Sequence, residues 1–220
     1  ILYSRDILER NPGAKIVFDV KCSSLLPKDI SEHGGEPIMS RTGHSFIKAK
    51  LKETGAALGG EMSGHIFFKE RWYGFDDALY AGARLLEILS KTDKTCAEVF
   101  ADLPDSINTP EINIHFDEQG DQFIAMDKLA ENVNFAGAKI TTIDGVRVDY
   151  PNGWGLVRPS NTTPCLVLRF EADNQKTLEE IQEKFRTWLE ANDISTKDFW
   201  FTIFPKFLHY EIGKAYFITT

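Results

Sequence analysis

Ala14-Lys15-Ile16-Val17-Phe18-Asp19-Val20 is a short apolar run bounded by turn formers, the pattern of a strand buried on both faces. Upstream of it, residues 1–10 read as the end of an amphipathic helix, stopped by Asn11-Pro12-Gly13. Downstream, a helical stretch at 24–33 runs into Gly34-Gly35, and Pro37-Ile38-Met39-Ser40 follows as a second strand. Ser45 to Lys52 is helical, with Ser45 placed as N-cap and Gly55 at the end. Strand, crossover helix, strand and helix in this order predict a parallel sheet covered on both faces.

Two more strands are expected around a loop, Ala57-Leu58-Gly59-Gly60-Glu61 before it and His65-Ile66-Phe67-Phe68-Lys69 after it. From Asp76 the pattern is helical, and Leu79, Ala83, Leu86 and Leu89 or Ser90 form a stripe expected to lie on the sheet. A short helix at 95–102 closes this half. Leu103-Pro104-Asp105-Ser106-Ile107-Asn108-Thr109-Pro110 reads as a linker or hinge about which the second half swings. Beyond it the period changes to two. Ile112, Ile114 and Phe116 alternate with polar residues, as do Ile140 and Thr142, then Val146 and Val148, with Asp144-Gly145 as a hairpin turn. A helix near 122–132, a strand from Cys165 to Phe170 and a helix at 174–191 carrying Leu178, Ile181, Phe185 and Trp188 complete this half. The fold class expected is an α/β domain with a mixed, mostly parallel sheet covered by helices (residues 1–103), followed by a smaller α+β domain with an antiparallel sheet (residues 111–192).

The 220 residues hold 25 Lys+Arg against 33 Asp+Glu, a net charge of −8 that argues against nucleic-acid or anionic-membrane partners. No apolar stretch approaches the roughly 20 residues needed to span a bilayer. The start Ile1-Leu2-Tyr3-Ser4-Arg5-Asp6 lacks a basic region followed by an apolar core. It also lacks an initiator methionine, so the chain is expected to begin inside a longer protein. Cys22, Cys96 and Cys165 are widely spaced and odd in number, which suits a reducing, cytoplasmic setting.

Common chemical signatures are absent: no Gly-x-Gly-x-x-Gly follows a strand, and no Gly-Lys-Ser/Thr loop occurs. Glu61 and His65, with His44 nearby, offer metal-type ligands, but their spacing repeats no ligand pattern and no metal is assigned to them. Two clusters stand out. Gly60-Glu61-Met62-Ser63-Gly64-His65 lies at a strand end, where open α/β sheets bind ligands, and its carboxylate and hydroxyl suit a sugar. Arg158-Pro159-Ser160-Asn161-Thr162-Thr163-Pro164 sets a guanidinium, hydroxyls and an amide between two prolines, a combination made for phosphate. Each also reads as an ordinary polar turn, and a two-domain chain with incidental loops is the plain alternative.

Taken together, these two motifs, Phe18-Asp19-Val20-Lys21-Cys22, Thr42-Gly43-His44-Ser45, Phe68-Lys69-Glu70-Arg71-Trp72-Tyr73-Gly74-Phe75-Asp76-Asp77 and Thr141-Thr142-Ile143-Asp144-Gly145-Val146-Arg147 resemble the α-D-phosphohexomutase superfamily, within it the bacterial phosphomannomutase/phosphoglucomutases. The similarity runs from residue 1 to about 192 and covers only the third and fourth of the family's four domains. Met62 separates the loop from the phosphoglucosamine mutases, which resemble it but usually carry glutamine there. The resemblance implies transfer of a phosphoryl group between the 1- and 6-positions of a hexose, through a bisphosphorylated sugar that turns over in the site. It implies that Glu61 and Ser63 hold sugar hydroxyls beside His65, and that Lys21 and His44, the catalytic candidates, lie near the ring and the reacting phosphate. Arg158, Ser160, Asn161 and Thr162 would grip the phosphate not being transferred.

Such a division of labour holds one end of the substrate while the other meets the donor. In the family the donor is a phosphoserine of the first domain, and Mg²⁺ is held by an aspartate-rich loop of the second. This chain has no Asp-x-Asp and no Ser-His-Asn, so it is expected to bind a hexose phosphate, carry no metal of its own, need the missing N-terminal domains as partners, and be inactive alone. The alternatives are a non-catalytic phosphosugar-binding or interaction module and a phosphoglucosamine mutase fragment. Residues 193–220 match nothing in the family. Their aromatics (Phe199, Trp200, Phe201, Phe204, Phe207, Tyr210, Tyr216 and Phe217) point to a shifted reading frame, vector-derived residues or a species-specific extension, partly disordered or packed on a neighbour.

Overall fold

A computed structural model describes residues 1–197. The strand quoted first is β1 (Lys15–Asp19), which pairs in parallel with β2 (Glu36–Ser40) and with β3 (Leu58–Gly60). A fourth strand, β4 (Ile66–Phe68), turns back antiparallel onto β3, giving the order β2-β1-β3-β4. Successive residues of these strands face opposite ways. Ile16 and Phe68 enter a core with Ile7 and Leu8 of α1 (Leu2–Arg10), Ile30 of α2 (Leu25–Glu32) and Ala81 of α4 (Ala78–Ser90). Val17 and Phe67 face Ile47 and Leu51 of α3 (His44–Thr54) on the other side. The sheet is therefore mixed, mostly parallel and covered on both faces.

Two details differ from the sequence reading. The N-cap of α3 is Gly43, not Ser45, and Gly55 closes the helix as expected. On α4 the expected stripe is turned outward: Leu79 and Leu86 are 89% and 68% exposed, while Ala81 and Arg84 are buried. The reason is electrostatic. Arg84 reaches inward to ion pairs with Asp6 at 3.0 Å and Glu70 at 2.8 Å, and its guanidinium lies over the Phe68 ring, 4.6 Å from the centroid. These contacts fix which face of α4 is down.

After α5 (Cys96–Ala101), the interval read as a linker divides. Ile107–Asn108 is a short strand, β5, that pairs with β10 (Cys165–Ala172), and buried Thr109 exchanges hydrogen bonds with Phe170. The remaining strands are β6 (Ile112–His115), β7 (Lys139–Thr141), β8 (Val146–Tyr150) and β9 (Gly153–Pro159). They form an antiparallel sheet of order β5-β10-β9-β8-β7, with β6 also on β10. One face packs on α6 (Asp121–Glu131) and α7 (Gln175–Glu190) through Leu129, Phe170, Phe185 and Trp188. Ile194 joins this core, so residues expected to lie beyond the fold are part of it. The expectations for the aromatic run from Phe199 onward fall outside the described residues.

The other face of the second sheet rests on the first. Trp154 and Leu156 of β9 pack against Val20 and Met39, which follow or end β1 and β2. Among the described residues, no helix is long and apolar enough to cross a membrane.

Candidate functional site

The three parallel strands end side by side, and the loops after them carry most of the candidate residues, as open α/β sheets arrange ligand sites. Asp19, fully buried at the end of β1, gathers these loops. One carboxylate oxygen accepts the backbone N–H of Met62 at 3.2 Å and the Cys22 thiol at 3.0 Å, and the other accepts the Thr42 hydroxyl at 3.0 Å. Burial first, then the adjacent Asp19 carboxylate, pushes the Cys22 thiol well up, so it stays protonated. Glu61, also buried, accepts from the Gly43 N–H at 3.1 Å and from the Ser63 hydroxyl at 3.3 Å. Two of the sequence motifs are thereby tied together through Glu61.

A cavity of about 420 Å³ opens between the sheets. Lys21, Arg158, Ser160, Asn161 and Thr162 all line it, and so do Glu111 and His115. Lys21 donates from Nζ to Glu111 at 2.8 Å. Arg158 is buried, and its Nε and Nη2 face the carboxylate of buried Asp144 at 3.0 and 3.5 Å. Asp144 also accepts the backbone N–H of Thr42 at 2.9 Å, so one carboxylate links the arginine to the first sheet's loop. The Ser160 hydroxyl is turned into its own loop, accepting the N–H groups of Thr162 and Thr163 and pairing with the Thr163 hydroxyl at 2.8 Å. Asn161 and Thr162 are exposed at the cavity mouth.

His44 and His65 do not line this cavity. They meet each other, 3.2 Å apart from Nε2 to Nδ1, and both face Asp76 Oδ2, at 3.0 and 2.8 Å. Burial tends to raise the Asp76 carboxyl. Hydrogen bonds from His65 and the Ile66 N–H, and the charges of the two imidazoles, outweigh it and hold that carboxyl below the usual range.

The sequence assigned no site role to Asp19, Asp76, Glu111 or Asp144, the last being read only as part of a hairpin turn. Asp19, Asp76 and Asp144 sit inside motifs quoted above, but their partners are loops distant in sequence, so spacing carried no signal.

Family models identify what this arrangement belongs to. Residues 1–107 match "Phosphoglucomutase/phosphomannomutase, alpha/beta/alpha domain III", and residues 111–187 match the C-terminal domain of the same family. The chain belongs to the phosphoglucomutase/phosphomannomutase family. Within this family it is 58% identical over 189 residues to the phosphomannomutase/phosphoglucomutase of Pseudomonas putida, covering 86% of this chain and 41% of that protein. It is 59% identical over 193 residues to a phosphoglucomutase of Neisseria meningitidis, covering 87% of this chain and 42% of the relative. The crystal structure of a phosphoglucomutase/phosphomannomutase family protein from Burkholderia thailandensis superposes with a TM-score of 0.81 at 52% identity, over 87% of this chain and 40% of that one. The chain thus spans about two fifths of the length of the curated relatives it matches.

Proposed function

We propose that this chain supplies the sugar- and phosphate-binding half of a phosphomannomutase/phosphoglucomutase that interconverts hexose 1-phosphates and hexose 6-phosphates. The observation that carries this reading is the cavity between the sheets, which is lined by Lys21 from the turn after β1 and by Arg158, Ser160, Asn161 and Thr162 at the end of β9. Lys21 and Arg158, paired here with Glu111 and Asp144, are the cations that would turn to a phosphate, and the Asn161 amide and Thr162 hydroxyl add donors in reach of the opening. Glu61 and Ser63, held by the Gly43 backbone, take the hexose hydroxyls. His44, the catalytic candidate, and His65 beside it both face Asp76, and this pair of imidazoles is the one we assign to move a proton at the reacting hydroxyl. Mannose or glucose phosphates are the substrates this assignment favours, and the phosphoryl donor belongs to the rest of the protein.

The family's magnesium does not fit the residues here. Mg²⁺ takes oxygen ligands in octahedral geometry, whereas the metal-type cluster found among the described residues is two imidazoles and one carboxylate. No step of this reading runs through a metal on this chain.

Calorimetry with mannose 6-phosphate tests the assignment. Asn161→Ala and Thr162→Val alter exposed side chains and should each weaken binding about 10-fold, the worth of one hydrogen bond to a charged group. Unchanged affinity in both would remove the clamp. A second expected outcome is that the purified chain converts no mannose 1-phosphate to mannose 6-phosphate, since it lacks the phosphoserine loop. A normal turnover rate would refute this.

A further inference from the structure

We propose that His44, His65 and Asp76 form a binding site for a borderline divalent transition metal, with Zn²⁺ the natural occupant. Three ligand atoms converge there: His44 Nε2, His65 Nδ1 and Asp76 Oδ2, separated by 3.2, 2.8 and 3.0 Å. A triangle with edges of about 3 Å has a point roughly 2 Å from every corner, about 1 Å above its plane, and roughly 2 Å is the bond length of Zn²⁺ to imidazole nitrogen and carboxylate oxygen. In a tetrahedral site the ligand atoms lie about 3.3 Å apart, so the triangle needs only slight opening. The donor set, two nitrogens and one oxygen with a single negative charge, selects zinc and its neighbours over magnesium or calcium.

Two of the three ligands are also braced by the surrounding structure. Asp76 Oδ1 accepts the Ile66 N–H at 3.1 Å, which fixes the carboxylate and leaves Oδ2 facing the two rings. The backbone of Asp76 bridges to Phe67, so the loop carrying it is pinned to the middle of β4. His44 is set at the first turn of α3 with its ring edge-on to Phe67, 5.2 Å between centroids. The imidazoles remain nearly half exposed, at 46% and 45%, so an ion has a path in and further coordination positions stay open to water or another donor.

A bound ion would take the one basic lone pair of each neutral imidazole, so neither ring could accept a proton. On the function proposed above, such a metal is an inhibitor at the site rather than a cofactor.

The test is a titration of the whole chain, carrying Cys96→Ser to remove the exposed thiol, with ZnCl₂ and no sugar phosphate. Its outcome is therefore independent of the hexose phosphate assignment. Calorimetry should give one equivalent of Zn²⁺, and the imidazole NMR signals of His44 and His65 should shift while those of His33 and His115 stay. His65→Gln and His44→Ala should each weaken binding at least about 100-fold, beyond the loss typical of an outer-shell partner. Absence of Zn²⁺ binding, or binding within 10-fold of the parent in either histidine variant, overturns the site. So do unshifted His44 and His65 signals.

Discussion

Asp6, only 6% exposed, faces three cations: Arg10 at 2.8 Å, and Arg84 and Lys91 both at 3.0 Å. Burial pushes its carboxyl up, but hydrogen bonds from Arg10, Lys91 and Arg84 more than reverse this and hold it well below the ordinary carboxylate range. The unfolded chain's Asp titrates near pH 4. A folded pKa below that value means the network's contribution is complete above about pH 4 and drains away as the pH falls further. Asp6→Asn should cost about 3 kcal/mol at pH 7, because Arg10, Arg84 and Lys91 each lose an ion-pair partner and buried Arg84 is left to Glu70 and Glu87 alone. The same variant should lose less on acidification than the parent does. Urea unfolding at pH 7 and pH 3 measures both quantities; parallel losses in parent and variant would detach acid sensitivity from this residue.

At the scale of elements, what was readable in the sequence depended on whether one physical effect acted alone. Strand β1 and helix α7 follow directly from an apolar run and an apolar stripe, since hydrophobic burial alone decides them. Strand β9 was missed because Gly153, Trp154, Gly155 and Pro159 break any period. Its small residues are there for fit: a side chain at Gly155 would meet the Phe185 ring at 2.5 Å. The stripe of α4 was misread because a charged residue, Arg84, outcompetes leucine for the inner face once Asp6 and Glu70 are beside it. Replacing Leu79 by Gln should therefore change stability by no more than about 0.5 kcal/mol, as exposed sites do. A loss above 2 kcal/mol in thermal unfolding would show that the leucine is covered after all. The hairpin turn at Asp144-Gly145 was legible, but not its consequence. Gly145 has φ +75°, and a Cβ there would sit 2.2 Å from the Val157 carbonyl and 2.5 Å from Arg158 Cα. Gly145→Ala should cost more than about 1 kcal/mol through strain alone. Because Arg158 is the neighbour displaced, sugar phosphate affinity should fall in step with stability, while binding unchanged in a folded variant would place the arginine outside the site.

For the molecule as a whole, the decisive feature is how the two sheets are joined, since the cavity exists only while they are. Arg147, 1% exposed on β8, donates from Nη1 to the carbonyls of Val20 at 2.6 Å and Cys22 at 2.8 Å, and its guanidinium covers Trp154 at 3.9 Å. Arg169 donates to the Lys21 carbonyl at 2.8 Å, and Glu171 accepts the hydroxyls of Ser23 and Ser24 at 2.9 and 2.8 Å. These bonds converge on the residues just after β1, the same turn that presents Lys21 to the cavity. A charged side chain buried against carbonyls and an indole is costly to leave unpaired, so the junction holds together or fails as a unit. Arg147→Met keeps much of the volume over Trp154 and removes the donors. Its expected effect is a loss of roughly 3 kcal/mol, set by the Val20 and Cys22 carbonyls left without partners and the lost cation–π contact. Amide hydrogen exchange should then quicken in residues 20–24 while the β9–β10 pair stays protected, because only the junction has been loosened. Affinity for mannose 6-phosphate should fall with it, as Lys21 and Arg158 cease to line one cavity. Protection unchanged at residues 20–24 would mean that apolar packing of Val20 against Trp154 and Leu156 holds the sheets together without the arginine.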